Sequence, residues 1–308
     1  MRMWKLLKGE GNKMINLMGK KWWFFILSTI MIIPGVISLF LYGLKLGIDF
    51  SGGALLEYRF EKNIDKEILK QNVSLAKVEV SSVTDSGSNT YIIKTKPISQ
   101  DAINNIREIL NQKYEKVTEE RVENIGPSIG AETTKNAFIA VIVASIMIIL
   151  YLAISFRKVP KPASSWRFGV TAVIALLHDV LLLLGVFSLL GHFWGVEIDT
   201  LFVTAVLTVI GFSVHDTIVV FDRIRENLPK NLSKNFTEVA NISITQTLAR
   251  SLNTSLTVVL VLLAMLLFGG ESIRWFIVAL LVGIISGTYS SIFNATALLD
   301  VWEEKLGH

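Results

Sequence analysis

Residues 200–221 read TLFVTAVLTVIGFSVHDTIVVF, apolar except for His215 and Asp216. A helix of about 20 such residues crosses a bilayer core of roughly 30 Å. An acid inside that core is costly and is retained where it works or is paired. This stretch therefore predicts a membrane span and a functional position in one. Residues 168–190 have the same anatomy, apolar except for His178 and Asp179. Four further runs, 22–44, 136–156, 251–270 and 275–299, contain no Asp, Glu, Lys or Arg. The sum is six transmembrane helices.

Composition agrees. Of 308 residues, 51% are hydrophobic and only 18% charged, with a mean hydropathy of +0.52. These values exclude a disordered chain, a collagen and a disulfide-stapled secreted module. No cysteine is present, which removes any disulfide framework or thiolate metal site. A pI near 9.1 is compatible with a nucleic-acid binder. The basic residues, however, flank the apolar runs instead of forming one stripe. The anionic inner face of a membrane is the expected partner for that charge, and no nucleic acid.

The first run follows a basic stretch but is too long for a signal-peptide core and lacks a small-residue cleavage site, so it reads as a retained anchor. Pro34-Gly35 predicts a kink within it. Lysine and arginine crowd the tail at 1–21, the loop after the second span (Arg157, Lys158, Lys161, Arg167) and the loop after the fourth (Arg223, Arg225, Lys230, Lys234, Arg250). The loop at 191–199 has none. Both termini are therefore expected in the cytoplasm and the 45–135 segment outside.

Residues 45–135 have dense charge of both signs and short apolar runs. The patterns predict a strand at 53–61, a helix at 63–75 with Asn63 as N-cap, a strand at 77–84, a turn at 85–89, a strand at 90–96, a helix at 99–114 with Ile103, Ile106, Ile109 and Leu110 on one face, and a strand at 117–122. This β-α-β-β-α-β order is the ferredoxin-like pattern, an α+β domain inserted between helices 1 and 2. That fold hosts many functions and identifies none. Residues 136–308 then hold helices 2–6 with short loops.

No phosphate-cradling G-x-x-x-x-G-K-[ST] loop and no H-E-x-x-H zinc motif occurs. Gly211 to His215 is not a nucleophile elbow. An ordinary enzyme active site, a metal and a cofactor are not expected; the work must come from binding, lateral packing or an ion gradient. Asp179 lies about 11 residues into its span, roughly 16 Å at 1.5 Å per residue, and Asp216 about 9 Å from the cytoplasmic end of its own. A buried carboxyl that exchanges a proton suits a relay, whereas one bonded to Ser, Thr or Asn across a helix interface is structural. His178 and His215 adjoin these acids in sequence but point about 100° away on a helix. Arg250 opens the fifth span, as a snorkelling residue or as counter-ion to Asp216. Gly283 and Gly287 form a G-x-x-x-G packing face in the sixth span.

Several stretches together carry a family resemblance: GIDFSGG (47–53), ALLHDV (175–180), VIGFSVHDTIVVFDRIREN (209–227), SITQTLARSLNTSL (243–256) and GTYSSIFNATALL (287–299). Over nearly the whole chain the sequence resembles the SecF branch of the SecD/SecF protein-export family, in the RND superfamily of proton-driven machines. The resemblance implies an RND-type half of six helices, a SecD partner, work beside the Sec channel on unfolded preprotein emerging at the outer face of a bacterial plasma membrane, and proton motive force as the drive. Sodium serves some members of the family, and no residue distinguishes the two ions. The family's span-four acid falls on Asp216, its span-five arginine on Arg250, and its His-Asp pair on His178 and Asp179. Its glycine motif falls on Gly47, Asp49, Gly52 and Gly53. Two other readings stand beside this one. One is half of an RND-type exporter, for which about 90 external residues are few. The other is a structural Sec subunit in which Asp216 only hydrogen-bonds.

Overall fold

A computed structural model describes residues 16–157, 159–160 and 163–306. Residues 1–15 of the basic tail, with Lys158 and Lys161 of the loop after the second span, lie outside the described residues. The chain divides into two compact units, one comprising 46–139 with Glu197–Thr200 and the other the remainder.

The first unit holds a short helix α2 (Ile48–Ser51), then β1 (Gly53–Phe60), α3 (Lys66–Ser74), β2 (Val80–Gly87), β3 (Thr90–Thr95), α4 (Gln100–Lys113) and β4 (Val117–Ile125). The sheet is antiparallel in the order β2-β3-β1-β4. Alternation along β1 turns Leu56, Tyr58 and Phe60 inward, where Leu69 and Val73 of α3 and Ile103, Ile106 and Leu110 of α4 meet them with Tyr91 and Ile93 of β3. Two local expectations are corrected. Asp65, not Asn63, caps α3, its carboxylate accepting from the amides of Glu67 and Ile68; Asn63 is bonded to the Tyr91 hydroxyl instead. The hairpin turn is tighter than 85–89, because β2 continues to Gly87 and only Ser88 and Asn89 turn, both at positive φ as a type I′ hairpin requires.

The second unit is helical: α1 (Lys21–Tyr42), α5 (Pro127–Ser155, whose first residues belong to the sheet unit), α6 (Ser165–Trp194), α7 (Thr200–Asn227, entering from Thr200), α8 (Phe236–Phe268), α9 (Glu271–Tyr289) and α10 (Ala295–Leu306). A π-helical turn, Ser290–Asn294, joins α9 to α10, so the last span runs as one rod. Six helices among the described residues are long and apolar enough to cross a membrane. They are longer than the uncharged runs. α5 begins at Pro127, a favoured first helical residue, and α8 begins at Phe236, capped by Asn235.

α1 and α6 approach through Gly35 and Gly185, where a methyl on either would sit under 3 Å from the other's backbone. Ser38 and Ser188 bond across the same seam at 2.8 Å, and Tyr42 stacks on His192. Charges tie the far end of α10 into the unit. Asp300 meets Lys21 at 3.0 Å and accepts from Thr237 at 2.7 Å, and Glu303 pairs with Arg167 at 2.7 Å. From Phe138 to Ile154 α5, in contrast, is mostly apolar and mostly exposed, with Leu152 buried, as a lipid-facing helix is.

Candidate functional site

Two carboxylates lie inside the helical unit, Asp179 on α6 (0% exposed) and Asp216 on α7 (2%). Their surroundings differ. Asp179 Oδ2 accepts from Ser213 Oγ and Ser290 Oγ, both at 2.6 Å, and Oδ1 accepts from Ser286 Oγ at 2.8 Å. His178 Nδ1 lies 3.0 Å from the same Oδ1. An ionised carboxylate has about four acceptor sites, and four donors occupy them here. O–H···O⁻ bonds this short are the strong, charge-assisted kind. They draw α7, α9 and the π-turn onto α6. Ser286 and Ser290 stand four residues apart, one above the other on a helix face.

The His178 ring bridges Asp179 and Asn294, with Nδ1 3.0 Å from Asp179 Oδ1 and Nε2 3.3 Å from the Asn294 amide. The same amide bonds Ser28 Oγ on α1. Asn294 Oδ1 is buried with no partner among the described residues. His178 and Asn294 border a cavity of about 310 Å³ that Ser28 and Thr29 share with apolar groups such as Phe25, Ile32 and Leu298.

Asp216 is bonded far less. Among the described residues its one hydrogen bond comes from Ser255 Oγ on α8, at 3.5 Å. Ser255 itself receives the Thr288 hydroxyl of α9 at 2.7 Å, so two hydroxyls lead from α9 through α8 to the carboxylate. Arg250 is not brought into contact. It is exposed and forms no ion pair within 4.0 Å among the described residues. His215 is exposed on the opposite side of α7's buried face. Gly283 and Gly287 lie against Val209 and Ser213, where an added methyl on Gly283 would overlap the valine side chain. The glycine motif lies in the sheet unit. Gly47 donates its amide to Ile198 O at 2.8 Å, and Asp49 Oδ2 accepts from Thr200 N at 2.9 Å and Thr200 Oγ1 at 2.7 Å. No cluster of three or more His, Asp or Glu able to hold a metal occurs among the described residues.

Sequence reasoning located both acids but not the hydroxyls that separate their roles. Nothing in the sequence assigned Ser213, Ser286, Ser290, Ser255 or Thr288 to either acid. The available signal was Ser286 and Ser290 at i, i+4 within an otherwise apolar run.

Comparison with known proteins completes the picture. Residues 105–305 match the family described as Protein export membrane protein SecD/SecF, C-terminal, and residues 37–64 match the SecD/SecF GG motif. The protein translocase subunit SecF of Thermobaculum terrenum is 45% identical over 304 residues, 95% of each chain. The protein translocase subunit SecDF of Bacillus subtilis is 34% identical over 93% of this chain but only 38% of its own length. The crystal structure of SecDF, a translocon-associated membrane protein from Thermus thermophilus, superposes with a TM-score of 0.83 at 34% identity, covering 95% of this chain and 39% of that one. This chain thus spans about two-fifths of the two SecDF proteins and 95% of the Thermobaculum terrenum SecF. It belongs to the SecD/SecF family of protein-export membrane proteins.

Proposed function

We propose that this chain is a SecF-type subunit of the bacterial Sec machinery that, with SecD, uses the proton motive force to promote preprotein translocation and release at the outer face of the plasma membrane. The observation that carries the reading is Asp216: buried, nearly mid-chain in a membrane helix, and met by one donor at 3.5 Å. Such a carboxyl takes up a proton without displacing a partner, whereas Asp179 must first release a serine or His178. Asp216 is therefore the exchanging acid. Arg250 tunes it from a distance, the Ser255–Thr288 pair links it to α9, and Asp179 is the anchor that holds α6, α7 and α9 together. A charge moved through a 100 mV potential supplies about 2.3 kcal/mol, enough to bias a two-state packing of helices.

The partner reading rests on exposure. His215 of α7 and Arg250 and Asn253 of α8 are exposed at membrane depth, whereas the exposed Thr208, Thr254 and Thr257 bond carbonyls of their own helices. Hydrocarbon does not satisfy such groups, and a second helical half does. The SecDF relatives, in which this chain matches about two-fifths, join both halves in one polypeptide. A separate SecD-type half covers the polar face here. The sheet unit, with its β-α-β-β-α-β order and 2-3-1-4 strand arrangement, is the ferredoxin-like domain of the outer face. Both termini lie in the cytoplasm. No ATP is hydrolysed by this chain, since no phosphate-cradling loop exists in it.

The experiment is preprotein release from vesicles holding this chain and its SecD partner, with and without a proton gradient. The gradient-dependent part vanishes in Asp216→Asn at equal abundance if the reading holds. Its survival in that variant removes Asp216 from the coupling path.

A further inference from the structure

The glycine motif has no part in the proton chemistry above, and its geometry gives it one. We propose that the Gly47–Gly53 loop is a mechanical joint, with Asp49 as its positioning residue. It fastens the first residue of α7, the helix that carries Asp216, to the sheet unit, so that a displacement of α7 is delivered to the strands. The inference rests on the coupling role assigned to Asp216.

The loop is pinned, not slack. Gly52 and Gly53 hold φ of +73° and +148°, which side-chain-bearing residues rarely adopt. A methyl on Gly53 would stand 2.7 Å from Thr95 O at the end of β3, and one on Gly52 3.2 Å from Ile125 O at the end of β4. Gly47 is pressed against Ile198, 2.9 Å from its carbonyl oxygen by the same measure, and Gly130 against Phe50 O and Gly52 N. Backbone is thus packed on backbone at four points: Gly47, Gly53 and Gly130 leave no room for a side chain, and Gly52 is tight as well as at positive φ.

The segment Glu197–Thr200 is fastened to this pinned loop and to the neighbouring strand β3. Leu46 and Ile198 form a parallel bridge, with the Gly47 amide donating to Ile198 O. Lys94 of β3 pairs with Glu197 at 2.7 Å, both partly buried. Asp49 takes two hydrogen bonds from Thr200 through one oxygen. The last contact is the directional one. Thr200 is the first residue of α7, and its amide is among the donors that a helix start leaves unsatisfied. A carboxylate there caps the helix and meets the positive end of its dipole. The cap is supplied from 151 positions away, so it is a tertiary fastening of the helix end. From Thr200 to Asp216 α7 runs unbroken, 16 residues or about 24 Å. A helix of that length moves as a rod, and whatever grips its first turn moves with it.

The test uses the full-length chain with its SecD partner in vesicles and two readouts: gradient-dependent preprotein release, and the infrared carboxyl band that appears on acidification and that Asp216→Asn removes. Asp49→Ala is expected to cut gradient-dependent release at least tenfold and leave the Asp216 band at full amplitude. Thr200→Val, which keeps the amide but loses the hydroxyl, cuts release a fewfold; Thr200→Ser, which keeps both donors, matches wild type. The joint is overturned if Asp49→Ala retains gradient-dependent release, or loses the Asp216 band together with it, or if Thr200→Ser is as impaired as Asp49→Ala. A different outcome, gradient-dependent release surviving in Asp216→Asn, removes the coupling role itself and is read independently of Asp49.

Discussion

Asp179 and Asp216 are both buried carboxylates in neighbouring membrane helices, each preceded by a histidine, yet one is saturated with donors and the other nearly bare. Asp179 holds three serine hydroxyls and His178 within 3.0 Å. Asp216 has Ser255 at 3.5 Å. Burial alone does not distinguish an anchor from a switch. A polar group with every bond made fixes the packing around it, and taking one partner away exposes the full desolvation cost of the others. A group with bonds unmade gains or loses a proton with little rearrangement of its own shell.

The contrast breaks most visibly at function. Asp216→Asn is expected to lower gradient-dependent release at least tenfold and change the thermal stability of the detergent-solubilised protein by less than about 1 kcal/mol, because only one long hydrogen bond is at stake. Asp179→Ala reverses the pattern, costing about 3–5 kcal/mol in the same denaturation measurement, since three serines and His178 lose their shared acceptor. An Asp179→Ala protein as stable as wild type would refute the anchor. Ser290→Ala removes one charge-assisted bond of the four and is expected to cost about 1.5–3 kcal/mol; the same loss at Ser255 should be smaller, and equal losses would erase the distinction.

The six spans were legible because length and apolarity suffice to identify a membrane helix. Their ends were not. Residues 127–135 and 236–250 are helical but carry polar or charged side chains, and helix continues wherever its backbone bonds are made, not only where the residues are apolar. In the sheet unit Asn63 and Asp65 are equally good caps by type, and only the register of α3 decides for Asp65. The acids stood out because charge in an apolar run is rare. Their partners did not, because partnership is tertiary: Ser213, Ser286 and Ser290 lie 34, 107 and 111 positions from Asp179. Arg250 shows the converse. Its charge and position in the sequence read as a counter-ion to Asp216, but it forms no direct ion pair with that acid.

A smaller effect serves as a control outside the membrane helices. Tyr58 is buried in the sheet unit beside Glu119, and burial first, then that negative charge, push its hydroxyl up to about 12 from 10.0. The folded value is raised, so its contribution is fully present below pH 10 and is lost as pH rises through about 12. Tyrosinate absorbance should show a step at about pH 12 that Tyr58→Phe removes.

The most direct test sets Asp216→Asn and Asp179→Asn side by side in vesicles with the SecD partner, at matched amounts of folded protein, and reads gradient-dependent preprotein release. The account predicts loss in Asp216→Asn and substantial retention, per folded molecule, in Asp179→Asn. Retention in Asp216→Asn with loss in Asp179→Asn would contradict it and move the exchanging proton to the saturated site.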